Sequence, residues 1–122
     1  HHRLIYRGRM GMQCWFFSGE HGQYCVSQPP KIISDSAESL IRLAEDGAGI
    51  VLFPDWQIGS LLRAGRLTEL LTDYVVSTGE PGQSIFMLFP GSKYPTLNTR
   101  TVIDYFLQKF GDPVYWKYTS KS

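Results

Sequence analysis

Three short stretches carry side chains able to bind or react: Ser34-Asp35-Ser36, Phe53-Pro54-Asp55, and the pair Cys14 and Cys25 on either side of His21. The first is the sharpest. Its hydroxyls and carboxylate stand where a short β-rich run, Lys31-Ile32-Ile33, gives way to an amphipathic segment. A turn between a strand end and a helix start offers backbone amides and short side-chain oxygens to a small polar ligand. A plain helix cap needs the same residue types, so capping alone and capping plus ligand contact are both open. The charge of Asp35 repels an anion. A cationic or hydroxyl-bearing ligand, or one held through Ser34 and backbone amides, fits better.

Phe53-Pro54 closes the next apolar run on the same edge, and Trp15, with Phe16 and Phe17, is a candidate aromatic wall. Aromatics in a strand serve the core more often than a pocket. No Gly-x-Ser-x-Gly elbow, phosphate-loop lysine motif or dinucleotide glycine fingerprint occurs, and Gly47-Ala48-Gly49 follows a helix instead of a strand. Asp35, Asp55 and His21 have no spacing that supports a triad, so the reading is a binding domain with no cofactor. Cys14 and Cys25 read as reduced, part-buried thiols that a hairpin brings near each other without pairing. No Cys-x-x-Cys or His-x-x-x-His spacing points to a metal.

Positioning those residues requires a mixed α/β domain. Arg3–Arg7 alternates as a strand, and Cys14–Ser18 and Tyr24–Val26 form a hairpin turning at Gly19–Gly22. The segment from Ser36 to Asp46 repeats apolar residues at helical spacing (Ala37, Leu40, Ile41, Ala44), with Ser34 or Asp35 as cap and Gly47 at the exit. Ile50–Phe53 lacks alternation and reads as a strand covered on both faces, parallel to Ile32-Ile33. Asp55–Ala64 is a second helix, capped by Asp55 and ended by Gly65. Residues 77–83 read as a hinge, Ser84–Phe89 as another strand closed by Pro90-Gly91, and Leu97–Phe110 as the last helix, stopped at Gly111. The tail from Val114 to Ser122 has no helical pattern and reads as loose.

With 122 residues, 43% hydrophobic content and a net charge of +1, the chain is one domain or part of one, without a strong pull toward nucleic acid or membrane. Arg3, Arg7 and Arg9 read as a solvated face. No secretory signal or membrane-spanning run is present. His1-His2 are a tag remnant or native sequence. The first strand follows almost at once, so upstream sequence is expected.

The order of these motifs resembles the effector-binding domain of LysR-type transcriptional regulators. The family's strand, polar turn, helix, Gly-x-Gly-Ile, apolar strand and proline stand here as Ser34-Asp35-Ser36, Gly47-Ala48-Gly49-Ile50 and Phe53-Pro54. Leu62-Arg63-Ala64-Gly65-Arg66-Leu67 is similar to the family's Leu-x-x-Gly-x-Leu, and Pro54-Asp55-Trp56 to a common subgroup. His2-Arg3-Leu4-Ile5, Trp15-x-Phe17, Phe89-Pro90, Arg100 and Ile103-Asp104-Tyr105-Phe106-Leu107 also fit. The resemblance implies a periplasmic-binding-protein-like lobe with a mixed, mostly parallel sheet flanked by helices. Residues 1–76 would form the second lobe, 77–83 the crossover, 84–110 the return part of the first lobe, and 111–122 a tail. It further implies a small-molecule effector held between lobes by Ser34, Asp35, Ser36, Phe53, Pro54 and Trp15. Asp35 stands where the family usually has Asn, and Ser36 where it usually has Asp. The implied protein is a cytoplasmic homodimer or tetramer that touches DNA only through an N-terminal helix-turn-helix outside this chain. A solute-binding domain of a transport system shares the architecture and is the alternative, which an upstream export signal would favour. A small α/β enzyme is a third reading.

Overall fold

Leu4 and Ile5 are withdrawn from solvent and head the strand around which the first sheet is built. The computed structural model describes residues 1–9, 11–79, 85–88 and 96–118. Among these the elements run β1 Leu4–Gly8, β2 Gly11–Met12, β3 Phe16–Gly19, β4 Gly22–Cys25, β5 Ile32–Ser34, α1 Ala37–Glu45, α2 Asp55–Arg63, β6 Val75–Ser77 and α3 Leu97–Phe110. One edge of β1 pairs in parallel with β5, in the register Leu4↔Ile32, Ile5↔Ile33 and Tyr6↔Ser34. The other edge carries two partners in turn. Ile50 bridges Arg3 in parallel, and β2 folds back antiparallel at Arg7↔Met12 and Gly8↔Gly11. A second, antiparallel sheet has the order β4-β3-β6.

Helix α1 packs on β1 and β5 and buries Leu40 there. Leu4, Ile5, Leu40 and Trp15 form the buried hydrophobic core of the described residues. Each such aliphatic side chain contributes roughly 1.5–3 kcal/mol relative to exposure. Gly47 ends α1 at a φ of +82°, with its N–H on the Ala44 carbonyl and the Ala48 N–H on the Leu43 carbonyl. Gly65 repeats this close after α2, at a φ of +74°. A left-handed residue lets the chain turn back and satisfy the last carbonyls, which is why glycine marks both exits.

Several expectations need correction. Ile50–Phe53 is not a continuous strand: Ile50 makes an isolated bridge and residues 51–53 are irregular. Its parallel neighbour is β1 instead of Ile32-Ile33, so the chain crosses over β1 through α1. The sheets are mixed but not mostly parallel. β1–β2, β3–β4 and β3–β6 are antiparallel; hairpins supply the first two, and β6 returns from beyond α2 to the free edge of β3. The caps also shift: Ser36, rather than Ser34 or Asp35, caps α1, and α2 follows Pro54 without a side-chain cap, Asp55 being its first residue.

Residues 85–88 carry no strand pairing, while Ser84, Phe89, Pro90-Gly91, most of the 77–83 hinge and residues 119–122 lie outside the described residues. The tail is not loose up to Tyr118. Tyr115 and Trp116 ring-pack on Phe110, and Arg63 of α2 donates to the Lys117 carbonyl at 3.4 Å. Arg3 is half-buried rather than solvated, and both cysteines are exposed instead of part-buried. Cys25 faces Phe16 in the register and not Cys14.

Candidate functional site at the carboxyl rim of β1

Tyr6 stands between the two polar turns. It is the register partner of Ser34 on one side, and its ring meets the Phe53 ring edge-on at 6.1 Å on the other. The parallel directions of β5, β1 and Ile50 therefore bring residues 34–36 and 53–55 to the same rim, on opposite flanks of β1. Gly8 admits the tyrosine: a Cβ there would stand 2.9 Å from the Tyr6 ring.

The hydroxyls at this rim are in use. Ser34 Oγ accepts the Ser36 N–H at 3.0 Å, and Ser36 Oγ accepts the Ser39 N–H at 3.2 Å. Ser36 Oγ also donates to Ser39 Oγ at 2.9 Å, so its proton is engaged, whereas the Ser34 hydroxyl, which accepts, can still donate its own proton to a ligand. Asp35 is exposed between them, Pro54 is exposed and Phe53 is half-buried.

Trp15 stands apart from the serine turn. It is 3% exposed, with the Arg3 guanidinium over its ring at 5.5 Å and its indole N–H donating to Gln13 Oε1 at 3.0 Å. Arg3 in turn donates to the Gln28 carbonyl. Trp15 and Phe53 line a cavity of about 660 Å³ between the two sheets, with Ile58 and Leu62 of α2, Leu67 and Tyr74. That volume suits a small molecule, and the walls are largely apolar. Ser34, Asp35, Ser36 and Pro54 are not among its lining residues. Phe53 and Asp55 are thus shared by the rim and the cavity.

Sequence reasoning missed two contributors. Tyr6 carried a signal, since a strand end beside two turns lies at their common rim. Gln13 carried none, because its partners Trp15, Tyr6 and Leu52 are assembled by the tertiary fold. Among the described residues no group of three His, Cys, Asp or Glu side chains could hold a metal ion, and no helix is long and apolar enough to cross a membrane.

The family model described as LysR substrate binding domain matches residues 1–111. The chain is similar to the HTH-type transcriptional regulator PtxR of Pseudomonas aeruginosa, 24% identical over 97 residues, which covers 80% of this chain and 30% of that protein. It is also similar to an uncharacterized HTH-type transcriptional regulator of Haemophilus influenzae, 28% identical over 74 residues, 61% of this chain and 26% of that protein. The chain therefore spans less than a third of the length of these curated relatives. No solved structure matches it significantly.

Proposed function

The chain belongs to the LysR substrate binding domain family, and on that premise we propose that it is the effector-sensing region of a DNA-binding transcriptional regulator. The observation that carries the reading is the shared rim: Ser34, at the carboxyl end of β5, and Phe53, three residues past the parallel bridge at Ile50, flank Tyr6. Ligands of α/β sheets with this geometry sit just beyond that rim. Ser34, Asp35 and Ser36 supply the polar contacts, and Phe53, Pro54 and Tyr6 the apolar ones. Trp15 acts from beneath, through the core. The carboxylates of Asp35 and Asp55 favour a cationic or hydroxyl-bearing small molecule.

In this reading residues 1–76 are the second lobe of a periplasmic-binding-protein-like pair. Residues 77–83 cross over, 84–110 complete the first lobe, and 111–122 form a tail. The effector is bound between lobes and released unchanged, without catalysis. The regulator is a cytoplasmic homodimer or tetramer, and DNA contact belongs to a helix-turn-helix elsewhere in the protein. Binding shifts the lobes only to the extent that the effector prefers one arrangement over the other. The transport alternative is not favoured, since both relatives carry the name of transcriptional regulators.

The test is a promoter-binding assay on the intact regulator, titrated with a panel of primary amines and polyols. Asp35→Asn should weaken the response to an active compound about tenfold or more, as loss of a charge-assisted bond does. Affinity for DNA without the compound should stay as it was. An unchanged dose response in Asp35→Asn and in Ser34→Ala would remove the turn from the site.

A further inference from the structure

Gln13 lies between β2 and β3, outside both, and three of its polar groups are engaged at once. Its backbone N–H donates to the Tyr6 carbonyl at 2.9 Å. Its Nε2 donates to the Leu52 carbonyl at 2.7 Å, and its Oε1 accepts from the Trp15 indole at 3.0 Å. The partners fix the orientation of the amide, since a carbonyl needs a donor and an indole N–H needs an acceptor. One side chain thereby joins the central strand, the connection leading into α2, and a buried core aromatic.

The sheet register explains why that junction is needed. Ile50 is tied to β1 by two bonds, Leu4 N–H to the Ile50 carbonyl at 2.9 Å and Ile50 N–H to the His2 carbonyl at 2.8 Å. A parallel ladder continued by one step would carry the Tyr6 N–H to the Leu52 carbonyl. The bridge is isolated instead, and the Leu52 carbonyl is taken by the Gln13 amide. The side chain replaces a rung of the ladder. Residues 51–53 can then diverge from β1 without leaving a part-buried carbonyl unpaired, an omission that costs free energy.

We propose that Gln13 is a positioning residue of the effector rim: by bridging Leu52 and Trp15 it sets how far Phe53-Pro54 stands from Tyr6. This rests on the reading that an effector binds at the rim, but its test requires no effector, so the two ideas fail separately. The two functions of the amide can be divided by substitution. Gln13→Glu keeps an acceptor for the indole and removes the donor to Leu52. Gln13→Lys keeps a donor for Leu52 and removes the acceptor.

Hydrogen exchange on the intact protein reads both. In Gln13→Glu the amides of Gln57 and Ile58, which donate to the Pro54 carbonyl, should exchange about tenfold faster, while the Trp15 indole proton keeps its wild-type rate. In Gln13→Lys the pattern should invert. Any other pattern, including a uniform rise of both reporters in both variants, overturns the proposal, because general destabilisation does not separate them. A wild-type measurement covers the case in which the variants do not fold. The Gln13 side-chain amide protons should exchange at least about tenfold more slowly than those of exposed Gln23. Equal rates overturn the proposal on their own.

Discussion

Gly49 leaves no room for a side chain. A Cβ there would stand 2.5 Å from the His2 carbonyl oxygen and 3.1 Å from the Leu4 side chain. The obstacle is backbone, at the place where Ile50 bonds to β1, and the cost of forcing it is that of overpacking. Gly49→Ala should lower stability by about 1–3 kcal/mol, read from the midpoint of a urea melt. Gly47→Ala is the control with a different mechanism. Its surroundings are open but its φ is +82°, so strain alone acts, at roughly 1 kcal/mol. A Gly49→Ala melt that matches wild type would mean the close approach is absent in solution. Trp15 also belongs to this scale. Expected as an aromatic wall, it is buried, with the Arg3 guanidinium over its ring and its indole N–H on the Gln13 carbonyl, and it lines the cavity.

Among the elements, the helices were the most legible. Leu97–Phe110 appears with the bounds expected, because Thr96 accepts the Thr99 N–H at 3.2 Å and Gly111 adopts a φ of +78°. Local chemistry decides such ends, and local chemistry is written in consecutive residues. The Ile50–Phe53 run was legible only in part. Apolar content indicates an extended buried segment, but which strand it joins, and for how long, depends on residues 39 to 47 positions away, such as Gln13 and Arg3. The serine turn shows the same division. Its place before α1 could be read, whereas the choice of Ser36 over Ser34 as cap follows from backbone geometry, with Ser36 extended at a φ of −100° and ψ of 100°. Ser36→Ala should therefore cost about 1 kcal/mol and speed exchange of the Ser39 amide. Ser34→Ala, which removes an acceptor outside the helix, should leave Ser39 protected. Equal protection of Ser39 in wild type and Ser36→Ala would contradict the cap.

For the molecule as a whole, the two halves differ in how much apolar surface they bury. The part built on β1, β5 and α1 has a buried core. By contrast α3 buries no residue, and Leu97 and Leu107 are 80% and 57% exposed. Residues 85–88 are likewise apolar and exposed, Phe86 at 73% and Leu88 at 93%. Apolar surface of this extent is unusual for a free-standing soluble domain. The effector-sensing reading accounts for it, since there 84–110 belongs to a lobe completed by chain outside these residues. The rim and the cavity between the sheets are then competing places for a ligand within one family member. A crystal structure of the intact protein with an active amine or polyol separates them most directly. The compound should lie about 3 Å from Ser34 Oγ or the Asp35 carboxylate, and in contact with Tyr6 and Phe53. A compound enclosed between the sheets against Leu62 and Tyr74, with residues 34–36 untouched, would contradict that placement.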